Sequence, residues 1–86
     1  MPSRDRRLNP DLETADPADS AATPPGYHRV MQLHEILFGD GHWHPVTVRA
    51  AWRDRRGRHV MLVEWSIEGH GYREAYLFDP GKVRQA

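Results

Sequence analysis

The sequence contains no cysteine, so neither a disulfide framework nor a thiolate zinc site is available to stabilise a small fold. It contains no apolar run near the roughly 18 residues of a membrane-spanning helix. Its first residues also lack the continuous apolar stretch of a secretory signal. We therefore expect a cytoplasmic protein without a membrane partner, stabilised by apolar burial and, as a further source, by self-association.

A net charge is also absent, because 12 basic and 12 acidic residues cancel. This balance removes the simplest argument for a nucleic-acid or membrane partner, which must then be recognised through local charge. The 86 residues suffice for one hydrophobic core, which excludes a second domain.

Catalytic motifs are missing as well. The serines at positions 3, 20 and 66 have none of the glycine context of a nucleophile elbow. The glycines form neither a phosphate loop nor a dinucleotide fingerprint. So short a chain has little room for the deep pocket in which catalytic pKa values are usually tuned. We expect a binding module that is not an enzyme and uses no cofactor.

Residues 1–26 are predicted to form a disordered tail, because they contain five of the seven prolines and few large apolar side chains. Two interpretations of this tail compete. It is either a solvated segment without a specific role or an acidic segment that folds back on a basic face and competes with an anionic ligand. Its acidic residues are Asp5, Asp11, Glu13, Asp16 and Asp19.

From Tyr27 onward, aromatic and branched aliphatic residues become frequent, and we predict one folded domain over residues 27–86. Residues 43–53 alternate between apolar and polar side chains, which is typical of a strand with one wet face. Arg49 and Arg53 are predicted on the wet face. The opposite face is predicted to carry Val46, Val48, Ala50 and Trp52.

Further strands are predicted around this one. Residues 59–67 alternate in the same way, with Met61, Val63, Trp65 and Ile67 sharing one face, and Val60 and Leu62 indicating that the other face is partly covered. A fourth strand, 72–78, ends at Asp79-Pro80-Gly81 because proline offers no ladder donor.

The two ends of the folded region are less regular. Residues 30–38 fit either a helical face or a strand, and we favour the strand because they lead into the turn Gly39-Asp40-Gly41. Residues 82–86 form either a short closing strand or a helical turn.

Hairpins in sequence predict an antiparallel meander, and apolar residues on both faces of the later strands indicate that the sheet curls into a small barrel. The run Gly41-His42-Trp43-His44-Pro45-Val46-Thr47-Val48, with Val63-Glu64-Trp65 after the hairpin, resembles the opening of an SH3-like barrel of the Tudor or chromo-barrel kind. No aromatic cage can be mapped residue by residue, so the resemblance implies a fold and no methyl-lysine specificity.

A basic cluster is the main indication of a ligand. Guanidinium groups hold phosphates bidentately, and Trp43, on the same alternating face as Arg49, is placed to stack on a base. The alternative is that charged hairpin tips serve solubility and discourage edge pairing. We expect nucleic acid or another polyanion to bind Arg49, Arg53, Arg55, Arg56 and Arg58.

Two other functions stay open. An exposed aromatic patch of Trp43, Tyr72 and Tyr76, or a free strand edge, would suit a protein partner or a second copy of the chain. His42 and His44 would project to one side of a strand, as a metal pair requires. No third ligand stands at a recognised spacing, so no metal ligands are assigned, and a histidine-based metal-binding domain stays an alternative.

Overall fold

The computed structural model describes residues 5–15 and 24–86, which form one antiparallel sheet after a single turn of 3-10 helix at Arg6–Leu8. The strands are β1 (His28–Leu37), β2 (Trp43–Arg53), β3 (His59–Ile67), β4 (His70–Leu77) and β5 (Val83–Gln85). The sheet order is β4-β3-β2-β1-β5, so the last strand pairs with the first. The predicted all-β antiparallel architecture is confirmed. The sheet is open, because no strand pairing among the described residues joins β4 to β5.

The two ambiguous segments are both strands. Residues 28–37 form β1, as favoured, and residues 83–85 form the short β5. The fourth strand begins at His70 rather than Tyr72, because the turn before it has only two residues. Glu68 and Gly69 both have positive φ, 50° and 82°, which is the backbone of a tight hairpin whose twist matches its strands.

An irregularity at Arg49 changes the face on which β2 buries its side chains. Val48 pairs with Val63, whereas Ala50 pairs with Leu62, so Arg49 is one extra residue in β2. Residues paired across an antiparallel ladder lie on the same face, and successive residues lie on opposite faces. Since Val63 and Leu62 are successive, Val48 and Ala50 face opposite sides of the sheet.

Two hydrophobic clusters result, one on each face. The larger comprises Ile36, Phe38, Val46, Val48, Met61, Val63, Trp65, Tyr76 and Val83. The smaller comprises Ala50, Trp52, Val60 and Ala75, with Leu62 packed against it. The prediction that the apolar residues of β2 from 46 to 52 share one face is therefore wrong, although all four are buried. The prediction that apolar residues of β3 cover both faces is confirmed.

β1 is irregular at the same level. Arg29 pairs with Ala50 and Gln32 with Val48, so two residues of β1 oppose one of β2. One of the two, Met31, has a φ of 50°, which interrupts the regular ladder. β5 pairs with β1 only at residues 34–36, and no described strand pairs with the outer side of residues 28–33.

Residues 9–15, which we call the N-terminal segment, link the end of β1 to β4. The Asp11 N–H donates to the Leu37 carbonyl at 2.8 Å, and the Leu77 N–H donates to the Glu13 carbonyl at 2.9 Å. Isolated bridges pair Pro10 with Phe38, the residue that follows β1, and Thr14 with Tyr76 in β4. Pro10 is buried and Leu12 packs against the larger cluster.

Residues 5–15 lie within the predicted disordered tail, and the structure describes them in contact with the sheet. Three apolar side chains of this stretch, Pro10, Leu12 and Ala15, are partly or wholly buried, and its backbone completes hydrogen bonds that the open sheet leaves unmade. The rest of the predicted tail before residue 24, at 1–4 and 16–23, lies outside the described residues. The domain boundary at residue 27 stays a prediction.

No helix within the described part of the chain has the length and apolar character needed to cross a bilayer.

Gly39 fixes the close approach of the 3-10 turn to the sheet. A Cβ at this position would collide with the carbonyl oxygen of Arg6. The Gly39 N–H also donates to the Asn9 carbonyl at 3.0 Å. A side chain at Gly39 must therefore displace the chain that precedes the N-terminal segment.

We predict that Gly39→Ala loosens the N-terminal segment without unfolding the sheet. The Leu77 amide should exchange its hydrogen faster, because its acceptor is the Glu13 carbonyl. Loss of one or two hydrogen bonds, about 1 kcal/mol each, corresponds to a roughly five- to thirtyfold increase in the exchange rate of the Leu77 amide. Gly71→Ala is the control, since nothing lies within 4 Å of its added methyl. Equal Leu77 exchange in both variants, measured by NMR, would contradict this prediction.

Candidate functional site

The turn between β2 and β3 is organised by one carboxylate. Asp54 Oδ1 accepts hydrogen bonds from the backbone N–H groups of Arg56 and Arg58 at 2.9 and 2.8 Å. Its Oδ2 accepts from Arg58 Nε at 2.7 Å. Gly57 supplies the positive φ, 80°, that this turn requires. All the described contacts of this carboxylate are therefore with its own turn.

Opposing effects act on that carboxylate. Desolvation raises the pKa of Asp54, but the hydrogen bonds from Arg58 and Arg56 outweigh it and the net pKa is lowered. Asp54 is thus ionised at neutral pH, and its charge is offset by Arg58.

The remaining arginines of the turn extend into solvent. Arg55 and Arg56 are exposed, and neither guanidinium has a partner among the described residues. Arg53 is also exposed and donates from Nη1 to the Gly57 carbonyl at 3.2 Å. We call Arg53, Arg55, Arg56 and Arg58 the hairpin arginines. Residues 53–58, which contain these four arginines, include one carboxylate, Asp54, and it is already paired with Arg58.

Arg49 does not belong to this group. Its Nη1 lies 3.2 Å from Glu64 Oε2, and the same carboxylate accepts from Arg73 Nη2 at 2.8 Å. The extra residue in β2 also places Arg49 and Arg53 on opposite faces, so the prediction that they share one solvent face is wrong. The five predicted phosphate ligands are therefore divided between two surfaces.

The Glu64 carboxylate lies in a shallow groove of about 460 Å³ that crosses the outer face of four strands, with Leu33 and Thr47 also in its wall. The hydrogen bond from Arg73 lowers the pKa of Glu64, desolvation opposes this shift, and the charge of Arg49 adds to it. This carboxylate holds two guanidinium groups, so the groove carries one uncompensated positive charge rather than two.

Trp43 is not beside the hairpin arginines. It begins β2 at the opposite end from the hairpin, and the Arg84 guanidinium lies 4.0 Å from its ring centroid. Arg84 is held there by Glu35 at 2.9 Å. One face of the indole is thus covered by a cation, which leaves it poorly placed for the predicted stacking on a base.

The other predicted aromatic contacts are mostly internal. Tyr76 is 3% exposed within the larger cluster, and Tyr72 is half-buried with its ring centroid 5.8 Å from that of Trp65. The structure therefore brings Tyr72 and Tyr76 into the core and its margin, and separates them from Trp43.

Sequence reasoning missed Tyr27 as a neighbour of the hairpin. Its ring stacks on Trp52 at 6.1 Å between centroids, yet 45% of the residue is exposed. The adjacent Pro25 carbonyl accepts from the Arg53 N–H at 2.9 Å. Arg29 joins the same end, because it pairs with Ala50. The sequence signal was the Pro-Pro-Gly turn before Tyr27, but only the pairing of β1 with β2 places it here.

The predicted histidine pair has one carboxylate beside it. His44 Nε2 lies 2.7 Å from Asp40 Oδ2, and the His44 ring packs 4.3 Å from that of Phe38. The His42 N–H donates to Asp40 Oδ1 at 2.8 Å. No group of three metal-ligating side chains occurs among residues 5–15 and 24–86.

No protein-family model matches this chain, and no curated protein or solved structure matches it. What can be inferred about the function of this chain therefore comes from the geometry and charge of its described residues.

We predict that Arg73→Ala raises the pKa of Glu64, because it removes the main hydrogen bond that lowers this pKa. A carboxylate with a lowered folded-state pKa stabilises the fold above its unfolded pKa of about 4.5, and this stabilisation disappears as the pH falls through the folded value. NMR titration of the Glu64 carboxyl carbon measures the shift. Arg55→Ala, which changes the charge equally, should leave the midpoint in place. A midpoint that moves equally in both variants would assign the shift to overall charge.

Proposed function

We propose that this chain is a non-catalytic module that binds the phosphate backbone of nucleic acid through the hairpin arginines, with Arg29 and Tyr27 at the border of the same surface. The observation that carries the proposal is the pairing of Asp54. This carboxylate is the only acidic residue of the turn, and it accepts three hydrogen bonds from within the turn. The positive charge around it is left for a ligand.

The local charge suits a polyanion. Residues 53–58 carry four arginines and one aspartate, a net charge of +3, on a chain whose total charge is zero. At an ionic strength of 0.1 M, charges interact over about 10 Å, so the four guanidinium groups reinforce one another and present a local positive potential to solvent. Arg55 and Arg56 are already exposed, and binding requires no carboxylate among the described residues to release them.

Tyr27 supplies an aromatic surface next to these charges. Packing of one ring face on Trp52 limits its motion, and the exposed remainder faces solvent beside Arg53. Stacking of a base on such a ring is tolerant of sequence. We therefore infer a preference for accessible bases near the phosphates rather than for one base sequence.

The proposal also retains the SH3-like barrel and a cytoplasmic location. Support for the barrel comes from the N-terminal segment, which hydrogen-bonds to the end of β1 and to β4 across the side of the sheet that the strands leave open. Support for the location comes from the absence of cysteine, which removes any dependence on an oxidising compartment.

Replacement of Arg55 and Arg56 by Ala together should weaken binding to a fluorescein-labelled oligonucleotide at low salt. The slope of log affinity against log salt should decrease by about 0.9 for each duplex phosphate that the variant no longer neutralises. The matched control is Arg7→Ala with Arg84→Ala, which removes the same charge at residues paired with Asp5 and Glu35. Equal weakening by both pairs, or no binding by the unmodified chain at low salt, would contradict the proposal.

Tyr27→Leu should reduce affinity for single-stranded oligonucleotides by about 1–3 kcal/mol while leaving the salt slope unchanged, because stacking releases no counterions. Leucine keeps an apolar cover over Trp52. Fluorescence polarisation with single-stranded and duplex probes of equal length measures both quantities. An unchanged affinity for single strands would show that Tyr27 is not part of the interface, and it would not bear on the proposed arginine contacts.

A further inference from the structure

The N-terminal segment contacts the sheet in the way that an extended peptide contacts a receptor. Besides the bonds of Asp11 and Glu13, the Ala15 N–H donates to the Ala75 carbonyl at 2.9 Å and the Gly39 N–H donates to the Asn9 carbonyl at 3.0 Å. Four main-chain hydrogen bonds thus join seven residues to the end of β1, the turn that follows it, and β4. Recognition of this kind depends on an unpaired strand edge and does not require that the peptide belong to the same molecule.

Side chains give the contact its sequence preference. Pro10 is buried, Leu12 packs against the larger cluster, and Asp11 Oδ2 lies 3.3 Å from Lys82 Nζ. Proline at position 10 removes a backbone N–H that would otherwise need an acceptor in a buried place. Residues 9–15 of this chain are therefore a sequence that fits the space between the end of β1 and β4.

The connection to the rest of the chain permits exchange. Eight residues, 16–23, separate Ala15 from Pro24, and eight residues span at most about 26–29 Å. This reach exceeds the smallest extent of the molecule, 21 Å, so it is compatible with entry into the matching site of a copy packed directly alongside. No strand of the sheet precedes the segment, so its departure leaves the order of the five strands unchanged.

We propose that the groove between the end of β1 and β4 accepts residues 9–15 of a second copy, so that two chains exchange N-terminal segments in a reciprocal dimer. Each segment makes the same contacts within one molecule or between two, and the balance is set by concentration and by the connection. This proposal uses none of the hairpin arginines and is independent of the proposed nucleic-acid binding.

Cross-linking tests the exchange directly, because the chain has no cysteine of its own. The bridge between Thr14 and Tyr76 places Ala15 opposite Ala75, within the range of a disulfide between neighbouring strands. Full-length Ala15→Cys and Ala75→Cys variants are mixed at rising concentration and oxidised. We expect a covalent dimer of twice 10.0 kDa with a 15–75 linkage identified by mass spectrometry, its yield rising with concentration.

Two controls make a negative result meaningful. The double variant Ala15→Cys with Ala75→Cys should close within one chain at low concentration, which shows that the geometry allows the bond. A mixture of Ala15→Cys with Arg55→Cys measures cross-links formed by random collision, since Arg55 is exposed at the hairpin. Should the double variant fail to close, the neighbouring pair Glu13→Cys and Leu77→Cys, whose backbones are joined at 2.9 Å, replaces it.

A closed double variant together with no 15–75 dimer above the collision level, at any concentration up to the millimolar range, would overturn the proposal. A second measurement uses the unmodified chain. Sedimentation velocity should show monomer and dimer that interconvert slowly, and Gly39→Ala should speed this interconversion, because it weakens the contacts of the segment equally in monomer and dimer and so eases its release. A dimer whose rate of interconversion with monomer is the same in Gly39→Ala as in the unmodified chain would indicate another interface and would also overturn the exchange.

Discussion

One extra residue in β2 determines much of this structure. Because Arg49 has no partner of its own in β3, the apolar side chains before it and after it face opposite sides of the sheet. A five-stranded sheet that buries residues on both faces needs cover on both. Leu12 packs against one cluster, while Ala15 packs against the other and Tyr27 stacks on its Trp52. The path of the chain before β1 follows from this requirement.

The local pattern of the sequence predicts where the strands lie, but it does not predict which face of the sheet each side chain occupies once the strands pair. Alternation between residues 43 and 67 marks β2 and β3, and the glycine-containing turns mark their ends. An inserted residue leaves the alternation of a single strand intact, because buried residues still occur at every second position. Only the partner strand shows that the face has changed. The packing of Pro10 and Leu12 could not be predicted for a related reason. Two apolar residues in a proline-rich stretch give no pattern of their own, and only the end of β1 and β4, which they contact, shows that they are buried.

The candidate site was predicted in part. Four arginines of one turn necessarily lie together, and the sequence alone identifies them. The prediction that Arg49 belongs with them depended on the assignment of Arg49 and Arg53 to one face of β2, and that assignment was wrong. Tyr27 is 26 residues from Arg53 in the chain and reaches it through the pairing of β1 with β2, which no local pattern encodes. The carboxylates follow the same division: Asp54 pairs within its turn, while Glu64 gathers two arginines from neighbouring strands.

The positive φ of Met31 affects which edge of the sheet a second copy of this chain can pair with. It bends the one stretch of β1 whose outer side no described strand occupies, so an incoming straight strand would find an interrupted row of donors and acceptors. Edge-to-edge pairing of sheets from several molecules along this side of β1 is thereby discouraged. The proposed exchange of N-terminal segments has no such obstacle, and it ends at two molecules because it is reciprocal: each segment occupies the partner's site, so neither site is left open for a third copy.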